Sequence, residues 1–195
     1  MRKNVWLASA LLGAGCTNPL AEVAPGTAPN PPEQTAIEEP SFTRAWGETS
    51  ARITPRARYR VDAVVLIKDT SMDDAWSDVA GLDVALGWGP MASGPLLSQL
   101  SFHLKRRYVS VRWGGDFPLG SRDVMQHLSN HHLIAASAEV ATQLAKLRPG
   151  QHVTLDGRLV DLEVGGQTIR TSLTRDDIGN GACEVLLVES VALLD

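Results

Sequence analysis

The stretch that most constrains this chain runs from Pro149 to Leu193, PGQHVTLDGRLVDLEVGGQTIRTSLTRDDIGNGACEVLLVESVALL. A Pro-Gly stop is followed by three apolar, β-prone runs, residues 153–164, 168–173 and 184–193. Gly165-Gly166 separates the first pair and the Asp177 to Gly181 segment the second. Glycine-bearing turns between such runs are hairpin signals, so the stretch is expected to form a three-stranded antiparallel meander. In the first run, Val153, Leu155 and Leu159 share one parity and Val160, Leu162 and Val164 the other. A bulge or bend near Gly157 to Val160 accounts for that change, and bent strands of this kind close small barrels.

The segment before the stretch supplies the rest of a β-rich fold. Residues 59–68 alternate and then become continuously apolar, as a strand entering a core does. A polar loop with Asp69, Asp73, Asp74 and Asp78 follows. Leu82, Val84 and Leu86 then mark a short strand that runs into Gly87-Trp88-Gly89-Pro90. Residues 102–113 are expected to form a third strand carrying the basic run Lys105-Arg106-Arg107. A first helix is expected after Ser121 and a second after the N-cap Ser137, closed by Pro149-Gly150. The order is similar to that of an oligonucleotide/oligosaccharide-binding (OB) barrel. The expected fold class is mainly β (α+β), a small OB-like, partly open antiparallel β-barrel with one or two helices.

The N-terminus sets location. Residues 1–16 read MRKNVWLASALLGAGC, a short cationic start, an apolar run too short to span a bilayer and small residues before Cys16. This resembles a bacterial lipoprotein signal, although Gly13 stands where such signals usually carry Leu. The resemblance implies lipidation of Cys16 and a membrane anchor, facing the periplasm from the outer membrane of a Gram-negative cell. Residues 17–56 hold Pro19, Pro25, Pro29, Pro31, Pro32 and Pro40 with no apolar period, and are expected to be a disordered linker spanning roughly 35 Å. Residues 57–195 would then be the barrel domain. A formal charge of −4 argues against a sequence-independent grip on nucleic acid, and none is expected as a partner. If Cys16 is lipidated, the second cysteine, Cys183, has no partner within the chain.

Five residues stand out as ligand-binding candidates: Trp88, Arg107, His131, Arg175 and Asp176. Trp88 between two glycines can be an aromatic platform or the plug of a barrel end. Arg107 beside Tyr108 can hold an anionic or glycan ligand, or belong to a solvated, charged strand edge. His127 and His131, one turn apart if helical, form a weak metal pair. On a helical wheel they fall on or beside the apolar stripe of Val124 and Leu128, where a satisfied histidine is the plainer reading. Asp176 and Asp177 point to opposite faces of an extended chain, which disfavours a catalytic pair. No phosphate loop, nucleophile elbow or zinc signature occurs, so no cofactor is expected.

Three runs, DVALGWGPM (83–91), SNHHLIAA (129–136) and SLTRDDIGNGACEV (172–185), resemble a family of functionally uncharacterised bacterial proteins, often membrane-anchored. The resemblance extends over about residues 59–191. Ala135 stands where the family tends to have Pro, and Thr171 where it tends to have Ser. It implies no activity or catalytic residue. The expected function is a cell-envelope lipoprotein with a tethered periplasmic binding or accessory module. Its partner would be an envelope protein or a small anionic or glycan ligand. The alternative is a metal-dependent or hydrolytic enzyme using the His127 to His132 region with Asp176 and Asp177.

Overall fold

The computed structural model describes residues 18–174 and 182–194. Its spine is one strand of 21 residues, β3 (Thr49–Asp69). Strand β8 (His152–Val164) pairs antiparallel along one edge of β3, from Ala51↔Val164 to Val64↔His152. The other edge is taken in turn by β2 (Phe42–Trp46), β1 (Glu33–Ala36) and β4 (Leu82–Gly87). Strand β7 (Leu128–Ala135) pairs antiparallel with β4 and parallel with β10 (Glu184–Leu194), which in turn pairs antiparallel with β8. Strands β3, β4, β7, β10 and β8 therefore form a five-stranded ring closed by β8 on β3. This is an OB-like barrel with a single parallel contact within the ring.

Three helices are present among the described residues: α1 (Gly94–Leu97), α2 (Ser121–Gln126) and α3 (Ala138–Ala145). Helix α3 lies between β7 and β8 and seals the barrel with Val140, Leu144 and Leu147. The Ser137 hydroxyl accepts from the Val140 amide, as a serine before an apolar-periodic run should. Strands β5 (Ser101–Lys105) and β6 (Tyr108–Arg112) form a separate hairpin inserted between β4 and β7.

Alternation sorts the side chains into three cores. Val61, Ala63, Val65, Val84, Leu86, Leu133, Leu155, Leu159 and Leu186 fill the barrel. The opposite parity serves two outer clusters. One lies under the N-terminal segment, α1, α2 and the hairpin, the other against the loop after β3. The parity change in β8 separates the barrel residues Val153, Leu155 and Leu159 from Val160, Leu162 and Val164, which pack in the outer cluster around Trp76. At this point β3 is bulged between Pro55 and Ala57, and β10 between Val188 and Ser190.

Several expectations need correction. Residues 18–56 are not a free linker. Leu20, Val23 and Ala28 are buried, and β1, β2 and the start of β3 lie in this span. The physical reason is local. Pro19 opens a 3-10 turn capped by Asn18, whose side chain accepts from the Leu20 amide. Two glycines allow the segment to lie close. A β-carbon at Gly150 would stand 2.7 Å from the Pro19 carbonyl oxygen, and one at Gly94 would clash with the carbonyls of Ala21 and Val23. Pro55 is tolerated within β3 because it sits at the bulge. The barrel domain therefore begins well before residue 57. The 102–113 segment is two strands, not one. The meander is also rearranged: β9 (Gln167–Ile169) and β10 both pair with β8, on different lengths of the same edge. Cys16, Arg175, Asp176 and Asp177 lie outside the described residues.

Candidate functional site

A cleft of about 770 Å³ opens where three connections meet. The loop after β3 supplies Asp69, Asp73, Asp74 and Trp76. The β5–β6 hairpin supplies Lys105, Arg106, Arg107 and Tyr108. Strand β7 supplies His132, and Arg170 and Cys183 flank the connection before β10. Its size falls in the range of small-ligand sites, which run from roughly 300 to 1,000 Å³.

The floor of the cleft is organised by Arg107. Its Nε and Nη2 donate to the two oxygens of Asp74 at 2.5 and 2.8 Å. Its Nη1 donates to Asp83 Oδ1 at 3.0 Å and to the Ala80 carbonyl at 2.9 Å. The guanidinium lies 3.7 Å over the Trp76 ring, a cation–π contact, and the edge of His132 meets the same indole at 5.1 Å. His132 Nδ1 stands 2.9 Å from Asp83 Oδ1 but is not aligned for a hydrogen bond, so the contact is an ion pair only when the ring is protonated. Asp83 is fully buried, and its Oδ2 has no hydrogen-bond partner among the described residues. Asp74, at the rim, has its carboxyl held below the usual range because Arg107 hydrogen-bonds it, which outweighs the opposing effect of partial burial.

The backbone that presents Arg107 is strained. Lys105 pairs with Tyr108, so the turn has two residues, Arg106 and Arg107, with φ of 50° and 67°. Two left-handed residues in a two-residue hairpin favour Asn-Gly, because a β-carbon is disfavoured there. The ion pairs of Arg107 compensate for its part of the strain. Arg106 is exposed, with no hydrogen bond or ion pair among the described residues, and lines the cleft beside half-exposed Tyr108.

A second polar centre is sealed inside one end of the barrel. Tyr59 Oη lies 2.9 Å from His131 Nε2, and Ser129 Oγ donates to buried Glu184. Trp88 closes this end with 1% of its surface exposed. A small recess of about 20 Å³ lies beside it, lined by Trp88, Ser129, Thr174 and Glu184.

The sequence-derived candidates therefore do not converge. Arg107 is at the cleft, though buried rather than on a solvated edge. Trp88 plugs the barrel and His131 is inside it. His127 ends α2 with its Nδ1 2.6 Å from the Asp123 carbonyl oxygen, while His131 is on strand β7. The metal pair required both histidines on one helix face, and the helix ends between them. Among the described residues no three His, Cys, Asp or Glu side chains are grouped to hold a metal.

Sequence reasoning missed Asp83, Asp74, Trp76 and His132 as one constellation. The available signal was Asp83 itself, a lone carboxylate between Leu82 and Val84 in a short apolar strand. No helix among the described residues is long and apolar enough to cross a membrane. Comparison with protein-family models, with curated proteins and with solved structures returns no match.

Proposed function

We propose that this chain is a cell-envelope lipoprotein, anchored at Cys16 in the outer membrane, whose OB-like module binds a glycan-sized ligand bearing an anionic group in the Arg107 cleft. The observation that carries the binding role is the Arg106-Arg107 turn. A hairpin that tolerates two left-handed arginines forgoes stability that Asn-Gly would supply, and strain of this kind concentrates at functional sites. Lys105 and Arg106 on the hairpin and Arg170 after β9 set cations against Asp69 and Asp73 around the cleft, Tyr108 gives a face for stacking, and the Arg107–Trp76 stack a rigid floor. The lipoprotein-like start and the family resemblance of 83–91, 129–136 and 172–185 support the envelope location. His127, His131 and His132 lie in three environments, which favours the binding reading over the histidine-based enzyme.

The test is an NMR titration of ¹⁵N-labelled protein with a uronic-acid disaccharide and, separately, its neutral counterpart. The acidic sugar is expected to shift amides at 104–108 and 170, and Arg106→Gly to weaken that binding. Equal binding of both sugars would remove the anionic requirement. Perturbation confined to other surfaces would end the assignment of the cleft. Mass spectrometry of the mature N-terminus checks the lipid on Cys16.

A further inference from the structure

We propose that the end of the barrel carrying Pro19, Lys146, Arg148, Leu193 and Leu194 lies flat against a lipid bilayer. This rests on the lipid anchor at Cys16 proposed above. With residues 17–56 as a loose tether, the domain would float tens of ångströms from the surface. The structure removes that freedom, because Pro19–Glu22 is already a folded turn packed on the domain and Leu20 is buried. Two residue steps separate Cys16 from Asn18, at most about 7 Å of extended chain. Whatever surrounds Pro19 is therefore within reach of the headgroups.

What surrounds it suits them. Pro19 sits on the 149–150 turn that ends the α3 connection, and Gly150 donates its amide to the Val65 carbonyl. On one side of this turn, Lys146 and Arg148 are exposed at the C-terminal end of α3, and Lys68 reaches the Ala145 carbonyl. On the other side, His152 pairs with Leu194 and Val153 with Leu193. Leu193 and Leu194 are 40% and 43% exposed, two of the few large apolar side chains left in solvent among the described residues; as neighbours in β10 they point to opposite faces of the strand and so edge the end of the barrel rather than share one face. Among the described residues, Glu22 lies in the same turn as Pro19 and Asp62 is engaged by His152 at 2.5 Å, while Asp195 follows Leu194 in the sequence. A chain of net charge −4 thus places cations and unburied leucines beside the point where its anchor leaves. Exposed apolar residues ringed by Lys and Arg are the composition of an interfacial membrane contact. Each cation near an anionic surface favours contact about fivefold.

The test uses the full lipidated protein with ¹³C-methyl leucine, in nanodiscs of phosphatidylethanolamine and phosphatidylglycerol carrying a headgroup spin label. The Leu193 and Leu194 methyl signals are expected to lose most of their intensity, while Leu104 in the hairpin keeps its own. Lys146→Glu with Arg148→Glu should lower the docking equilibrium constant by at least about 25-fold and restore the signals. Intact mass separates the two ideas. Lipidated Cys16 with unquenched Leu193 and Leu194 overturns the docking and leaves the anchor. An unmodified Cys16 overturns both. Quenching of Leu104 in preference to Leu194 assigns the membrane to another face and refutes the proposal.

Discussion

Replacing Arg107 by Met tests whether the cleft floor is held electrostatically. The substitution keeps an unbranched stem of similar reach and can remain over Trp76, so lost packing is small. It strips Asp83 of its guanidinium in a place with no exposure to water. Removing one partner of a buried pair typically costs about 3–5 kcal/mol, because the other charge is left uncompensated. The Asp74 contact adds little, since Asp74 is 38% exposed and regains water. A loss near 3 kcal/mol lowers the midpoint of a domain of this size by about 6–12 °C. The partner experiment is Arg107→Met with Asp83→Asn. Neutralising the stranded carboxylate should recover more than half of the loss, a coupling of about 2 kcal/mol in a double-mutant cycle. Urea denaturation of the four proteins, followed by tryptophan fluorescence, supplies the measurement. A single-mutant loss below about 1 kcal/mol, or a double mutant no more stable than the single, would refute the electrostatic account of the floor.

Three further outcomes follow from the geometry. Arg106→Gly should raise stability by about 0.5–1 kcal/mol in calorimetry, since a left-handed arginine carries a cost that glycine does not. Gly157→Ala should cost about 2–3 kcal/mol, measured in the same way, because its β-carbon would press on the Leu187 carbonyl where β8 meets β10. Asp74 is held below its ordinary value of 3.8 by its hydrogen bonds to Arg107, and Glu39 below 4.5 chiefly by its hydrogen bond to Arg158. A depressed carboxylate contributes stability that is present above its unfolded value and lost as pH falls through the folded one. Stability should therefore decline as pH drops below about 4.5, and less steeply in Arg158→Met, as acid titration of the unfolding midpoint would reveal.

The barrel was legible because its determinants are local. The Pro149-Gly150 stop, the Ser137 cap and the parity change at Leu159-Val160 each act within a few residues, and each is present. The N-terminal strap was illegible for the opposite reason. Residues 49–59 do alternate in burial, with Ala51 and Ile53 in the outer cluster around Trp76 and Ala57 and Tyr59 in the barrel, but two of the four are alanines and Pro55 interrupts them. Composition there resembles a linker. What makes it a strand is eight register positions on β8, a partner that lies about a hundred residues away. Leu20 and Val23 are likewise buried by surfaces, α1 and the 149–150 turn, that no window around them contains.

The site does not read from sequence because the 127–132 segment, read as a helix, pairs His127 with His131. In β7, His131 and His132 are neighbours in sequence and strangers in space. Alternation sends His131 into the barrel with Tyr59 and His132 outward to Trp76 and Asp83. The helical assignment erased that distinction, since a helix keeps residues four apart on one face and makes His127 and His131 the natural pair. Once the period is two, the partners of His132 are found across the ladder: Asp83 is its register mate on β4 and Val185 on β10. Asp83 then calls for a cation, because a carboxylate buried between Leu82 and Val84 is not tolerated alone. The nearest strained backbone, the Arg106-Arg107 turn, supplies one. The strain and the buried charge thus explain each other, and Arg106 shares the strain with no ion pair among the described residues.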